Sequence, residues 1–165
     1  MSLKLAAGLP SLEPYALQQR WTLPRSLSPG EWAAMFSDYL AGLARLCAEA
    51  GGQASSDAAG RNRAAPHVVI GHIKLLALFD GGEYLRVSMV SPRHGATVTG
   101  STPSGLSEMP VTLNVLVYGL PAERLAGLTA AAAAAVAGHW GAAVETVPLP
   151  HHHHHHERTE HADQP

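Results

Sequence analysis

Cysteine occurs once in these 165 residues, at Cys47. A lone cysteine cannot close an internal disulfide, which excludes the stapled, secreted class of small domains and favours a reducing compartment. Aromatics are scarce at 5% and charged residues at 15%, both low for a globular chain of this length. Neither sign of charge dominates, since 11 basic and 13 acidic side chains leave a net charge of -2. A nucleic-acid-binding domain carries a basic face or stripe, so nucleic acid is not an expected partner. Long apolar runs are missing as well. The longest, 130–137, is mostly alanine and far short of the ~20 residues that span a bilayer. The N-terminal stretch has one positive charge and too little apolar length for a secretory signal. These absences lead to the expectation of a cytoplasmic, non-membrane chain with a single domain over 1–150 and a tail over 151–165.

What is present sorts into elements. Leu17, Trp21 and Leu23 alternate with Gln18, Arg20 and Thr22, the period of a half-buried strand, and Pro24 is expected to end it. Ser28-Pro29-Gly30-Glu31 announces a helix, with Ser28 as N-cap, Pro29 at the first helical position and Glu31 three residues on. Trp32, Met35, Phe36, Tyr39, Leu40, Leu43, Leu46 and Cys47 follow at helical spacing, and Gly51-Gly52 reads as the stop. Residues 53–65, rich in Ala, Ser and Gly, read as a flexible connection. His67 to Phe79 and Glu83 to Val90 flank Asp80-Gly81-Gly82 as a hairpin. Residues 91–110 are dominated by Ser, Thr, Gly and Pro and read as a flexible loop, with a short strand pattern at Thr97 to Thr99. Val111 to Tyr118 is a strand, Pro121 opens an alanine-rich helix that Gly141 closes, and Ala142 to Val147 is a last short strand.

The order strand, helix, hairpin, strand, helix, strand predicts an α+β chain. The expected architecture is a ferredoxin-like two-layer sandwich, an antiparallel or mixed sheet with two helices on one face and room for one extra strand. One face of such a sheet stays open.

The hairpin register decides what that face carries. A three-residue loop pairs Phe79 with Glu83 and sets Lys74 against Ser88, Leu76 against Arg86 and Leu78 against Tyr84. A two-residue loop would turn the Lys74 ammonium inward beside Leu85 and Met89, at the cost of burying a charge, so the first register is expected. It gathers His72, Lys74, Tyr84, Arg86 and Ser88 on the open side, joined by Thr112, Asn114 and Tyr118 of the later strand and by Arg20 of the first. Such a set of cations and neutral donors suits a carboxylate or phosphate. The candidate ligand-binding residues are therefore His72, Lys74, Arg86, Ser88, Asn114 and Tyr118. The plainer reading of the same pattern is a solvated sheet face or a subunit interface, because the uncovered side of a two-layer sandwich is polar whatever it does.

Six of the 11 histidines stand in a row: His151, His152, His153, His154, His155 and His156. With Glu157, Glu160, His161 and Asp163 behind them they form a multidentate ligand for Ni or Zn, expected to be disordered and suited to storage or hand-over. Tails of this kind resemble those of nickel and zinc accessory proteins, a resemblance of the tail alone. Six is also the usual length of an affinity tag, and in that case the run says nothing about function. His67 and His72, five apart, fall on opposite faces of a regular strand and make a poor chelating pair. His139 near a helix end favours the helix dipole. Cys47 on the apolar side of its helix reads as an inert core thiol. The serines of 91–107 lack a nucleophile-elbow pattern, and Gly100-Ser-Thr-Pro-Ser-Gly lacks the lysine of a phosphate loop.

Three functions follow as expectations. The first is a small accessory protein handling divalent metal through the tail. The second is an enzyme or ligand sensor holding a small anionic metabolite on the open face. The third is an oligomerisation module whose sheet face meets a protein partner or a second copy.

Overall fold

The computed structural model describes residues 14–57 and 68–147. In chain order its elements are β1 (Tyr15–Leu27), α1 (Pro29–Asp57), β2 (Val69–Leu78), β3 (Tyr84–Met89), β4 (Thr97–Gly100), β5 (Leu106–Tyr118), α2 (Ala122–Trp140) and β6 (Ala143–Val147). The six strands make one antiparallel sheet in the order β4-β3-β2-β5-β1-β6. β1 and β2 run in the same direction with β5 reversed between them, because each pairs antiparallel with β5. The fold is thus α+β, with short β4 and β6 at the two edges.

Strand alternation explains the layering. Leu17 and Trp21 of β1, Ile73 and Leu75 of β2, Leu85 and Val87 of β3, and Val111, Leu113 and Val115 of β5 are all buried on one side. α1 and α2 lie side by side over that surface, tied together where the Trp140 Nε1–H donates to the Asp38 carboxylate at 3.3 Å. The centre of the core is aromatic. Trp21 meets Phe36 edge-on at 5.6 Å and Tyr39 at 5.2 Å, and Trp32 stacks on Phe36 at 5.5 Å. A second tie fixes α1 on the sheet, the Trp32 Nε1–H donating to the Leu106 carbonyl at 3.2 Å.

The start of α1 follows the capping pattern in the sequence. The Ser28 backbone N–H and hydroxyl each donate to the Glu31 carboxylate at 2.8 Å, and the Glu31 N–H donates back to the Ser28 hydroxyl at 3.3 Å. Arg25 adds an ion pair at 2.9 Å. The Ser28 N–H, then Arg25 and the Ser28 hydroxyl, hold the Glu31 carboxyl at about 2, below its ordinary 4.5. A lowered carboxyl stabilises the fold fully above its unfolded value and loses that contribution as pH falls through the folded one. Between pH 4.5 and about 2, thermal unfolding of Glu31→Gln should therefore show a shallower loss of stability than the parent protein. Equal slopes would show that the cap is not formed in solution.

The hairpin has the expected register, Lys74↔Ser88, Leu76↔Arg86 and Leu78↔Tyr84. The Phe79 N–H donates to the Glu83 carbonyl at 3.0 Å across the three-residue loop. Gly81 and Gly82 take φ of 97° and 85° there, values that L side chains rarely adopt.

Four expectations need correction. β1 does not stop at Pro24 but continues to Leu27, with a register shift between Thr22 and Leu27. Pro24 lies inside that irregular stretch, past the last β6 pair at Thr22↔Ala143, where its missing N–H breaks no ladder bond. Gly51-Gly52 does not stop α1, which runs to Asp57. A Cβ on Gly51 would stand 2.8 Å from the Val68 side chain, so this glycine serves a close approach and not a cap. The flexible connection expected over 53–65 thus begins with helix, and 58–67 lie outside the described residues. Finally, 91–110 is not one loop. The short strand expected at Thr97 to Thr99 is present as β4 (Thr97–Gly100), but β5 starts at Leu106 instead of Val111, so 106–110 are strand and not loop.

Candidate functional site

Among the described residues nothing covers the face away from the helices, and the register places each candidate on it. Lys74 pairs with Ser88 on one side and with Asn114 on the other, so the three side chains share a rung. One rung along, Arg86 lies beside Leu76, which pairs with Thr112. The Arg86 Nε–H donates to the Thr99 hydroxyl of β4 at 3.0 Å, which orients the guanidinium along the face. In the other direction His72 pairs with Leu116, and Tyr118 with Val69.

All six candidates therefore lie on one face, but they do not form one site. Lys74, Ser88, Asn114 and Arg86 are neighbours, with His72 next to them. Tyr118 lies four residues from Asn114 along β5, about 14 Å at ~3.4 Å per residue, and six residues from the level of Arg86. A small anion held between Lys74 and Arg86 is out of reach of Tyr118.

Two features bend the simple alternation. β2 carries a bulge between Ile70 and His72, and a Cβ on Gly71 would press on the Leu116 carbonyl at 3.2 Å. The extra residue reverses the facing of everything before it, so a face argument for His67 from regular alternation does not hold; His67 itself lies outside the described residues. The second feature is a gap. Pairing of β2 with β5 stops at Leu76↔Thr112, and Pro110, which has no N–H to donate, follows. A shallow groove of about 240 Å³ opens there, lined by Leu76, Leu78, Pro110, Thr112, Arg20 and Val147 among others.

The face is also less polar than the sequence suggests. Leu78 is 68% exposed, Val69 53% and Tyr84 41%, and Leu76 and Leu116 are half-buried on the same side. Arg20 is not a free cation, since its Nε is 3.3 Å from the Glu108 carboxylate and Glu145 is its cross-strand partner on β6. Burial, and then the charge of Lys74, lower the pKa of His72. At neutral pH its imidazole is uncharged, so it offers a donor and an acceptor and no third positive charge.

The remaining candidates are inert or lie elsewhere. Cys47 is buried, and burial pushes its thiol up to about 11, which leaves no thiolate for nucleophilic attack. His139 is exposed near the end of α2, edge-on to Trp140 at 6.2 Å. Among the described residues no group of three or more His, Cys, Asp or Glu could hold a metal ion, and no helix is long and apolar enough to cross a membrane. His151 to His156 lie outside the described residues.

Three buried polar residues, Gln19, Thr102 and Thr129, escape sequence reasoning. Gln19 is 2% exposed and accepts the Trp21 Nε1–H at 3.3 Å. The alternation of β1 does place position 19 with Leu17 and Trp21, so the signal was present as a polar residue in an inward slot. The Tyr39 hydroxyl is buried near Gln19, and burial raises its pKa above the usual phenol range against the lowering effect of the Gln19 side chain.

Comparison of the sequence with protein-family models finds no match, and comparisons with curated proteins and with solved structures find none either.

Proposed function

We propose that the chain is a small binding protein whose working surface is the uncovered sheet face. Its ligand is a small anionic metabolite, with a carboxylate or phosphate held by Lys74 and Arg86 and an apolar body lying along Leu76 and Leu78. The observation that carries this reading is the rung Ser88–Lys74–Asn114 with Arg86 one step away. Two cations and two neutral donors stand at neighbouring positions on three adjacent strands, and no acidic side chain stands on β2 or β3 to neutralise them. Hydrogen bonds to a charged group stabilise by about 1.5–3 kcal/mol each, roughly tenfold or more in affinity. The strand order β6-β1-β5-β2 with two helices on one side supports reading the fold as ferredoxin-like, with β3 and β4 added at the β2 edge. That addition supplies Arg86 and Ser88.

The test is a thermal-shift screen of small carboxylates and phosphates. At least one compound should raise the melting temperature of the parent protein, and the Lys74→Ala, Arg86→Ala double variant should lose that response. Both side chains are exposed, so the variant keeps its fold. A complete screen without a hit, or an equal shift in the variant, overturns the proposal.

The six-histidine run supports a second reading, in which the tail handles Ni or Zn for a partner system. Calorimetry with each metal should show tight, multi-site binding that disappears when 151–156 are removed. Equal weak binding with and without the run sinks it.

A further inference from the structure

Four exposed side chains need an explanation that a solvated face does not supply. Val69, Leu78 and Tyr84 project from the open face, and Val90 continues the same alternation one residue past β3. Their exposures are 53%, 68%, 41% and 59%. Among the described residues only one other large hydrophobic is comparably exposed, Val98 on edge strand β4. Scattered exposed apolar residues are ordinary, but Leu78 and Tyr84 are cross-strand partners with half-buried Leu76 beside them, and a contiguous apolar patch marks an interaction surface.

We infer that a second copy of this chain covers the face, sheet against sheet, and closes the groove between Leu78 and Pro110 into an internal chamber. The inference rests on the reading of this face as the working surface. Charge arrangement is the first argument for a second copy over an unrelated partner. Lys74 and Arg86 stand on β2 and β3, while the acidic residues of the face, Glu108 and Glu145, stand on β5 and β6. Arg20, between them on β1, is 3.3 Å from Glu108 and stands across the ladder from Glu145, so one cation faces two carboxylates on this half of the face. The face is therefore positive towards one edge and negative towards the other.

A two-fold axis parallel to the strands reverses the strand order. It lays β3 of one copy over β1 of the other, and β4 over β6. Arg86 of each copy then comes within reach of Glu145 of its partner, in two equivalent places, as an isologous interface requires. Leu76, Leu78 and Pro110 fall near the centre, where apolar contacts contribute most.

Area is the second argument. Six strands at ~4.8 Å spacing and about six residues of strand length at ~3.4 Å each give a patch of roughly 600 Å² per copy. The pair buries roughly 1,200 Å², the lower end of the range of stable specific interfaces. Side chains of two aligned sheets interdigitate across about 10 Å, so the space left for a ligand is the groove of about 240 Å³ beside Leu76 and Leu78.

Sedimentation equilibrium on the full chain in EDTA tests this, the chelator removing any association through the histidine run. A dimer is expected at micromolar concentration. Leu78→Asp places a charge at the centre and should weaken association at least tenfold, without cost to folding because position 78 is exposed. Arg86→Glu and Glu145→Lys should each weaken it several-fold, and the two together should restore it. A monomer at every concentration, a dimer indifferent to Leu78→Asp, or a double variant no better than its worse parent would each overturn the inference. The thermal-shift screen separates the two claims. A monomer that still binds anions through Lys74 leaves the proposed function standing, and a dimer that binds none removes it while keeping the interface.

Discussion

Alanine at position 21 should destabilise the protein by about 3–5 kcal/mol, the usual cost of deleting a large aromatic from a core. Trp21 is fully buried on the helix face of β1. Its ring contacts Phe36 at 5.6 Å and Tyr39 at 5.2 Å, so the cavity would open between the sheet and α1, where neither can collapse without moving the other. The loss is compounded by Gln19. Its side-chain carbonyl accepts the Trp21 Nε1–H at 3.3 Å, and a buried acceptor left without that donor costs about 1–3 kcal/mol. A domain of this size has about 5–15 kcal/mol in all, so the variant is left close to unfolding. Urea denaturation measures the effect. Trp21→Phe keeps most of the volume and loses the hydrogen bond, so it should recover the larger part of the stability. A loss below about 1.5 kcal/mol for Trp21→Ala would mean that the aromatic cluster is not the packing centre.

The second large effect is expected at Gly100, where β4 ends. This residue has φ of 78°, a conformation that costs other L residues about 1–2 kcal/mol. A Cβ there would also fall inside the Tyr84 carbonyl. That carbonyl cannot swing away freely, because it accepts the Ser101 N–H at 2.8 Å. Gly100→Ala should therefore separate β4 from β3. Amide exchange at Val98 and Val87, which pair across that ladder, should accelerate, while the β2–β5–β1 amides keep their protection. Gly95 provides the control. Its φ is 70° and a Cβ there meets nothing within 4 Å, so Gly95→Ala carries only the backbone penalty. If the two variants lose equal stability, the collision with Tyr84 has no energetic weight. Loss of β4 also releases Arg86, whose Nε–H donates to Thr99, so anion binding should weaken along with it.

Local signals read well wherever the physics is local. The Ser28–Glu31 cap, the Asp80-Gly81-Gly82 turn with its register, and the αL Gly141 that ends α2 with φ of 69° all involve residues within a few positions of one another. The hairpin register was decidable because the alternative buried the Lys74 ammonium. With it came the rung of Lys74 and Ser88, and with β5 alternation the facing of Asn114. Less local matters were misread for identifiable reasons. Gly51 looked like a helix stop because its true reason, the approach of Val68, comes from 17 positions away. Pro110 and Ser107 hid the first half of β5, since their composition is that of a loop, while the pairing of Pro110 with Arg20 and of Glu108 with Thr22 makes the segment strand.

Composition and periodicity alone were sufficient to establish the α+β class, the inward faces of the strands and helices, and the collection of His72, Lys74, Arg86, Ser88, Asn114 and Tyr118 on one sheet face. Each of those depends on alternation or on spacing along a single segment. The strand order β4-β3-β2-β5-β1-β6 came only with the tertiary structure, and it decided the rest. It set Asn114 against Lys74, carried Tyr118 out of reach of Arg86, let Glu108 neutralise Arg20, and left Leu78 exposed where the β2–β5 ladder stops short of Pro110. Those outcomes depend on which strands are neighbours, and neighbour choice is made by the packing of distant segments on a shared core.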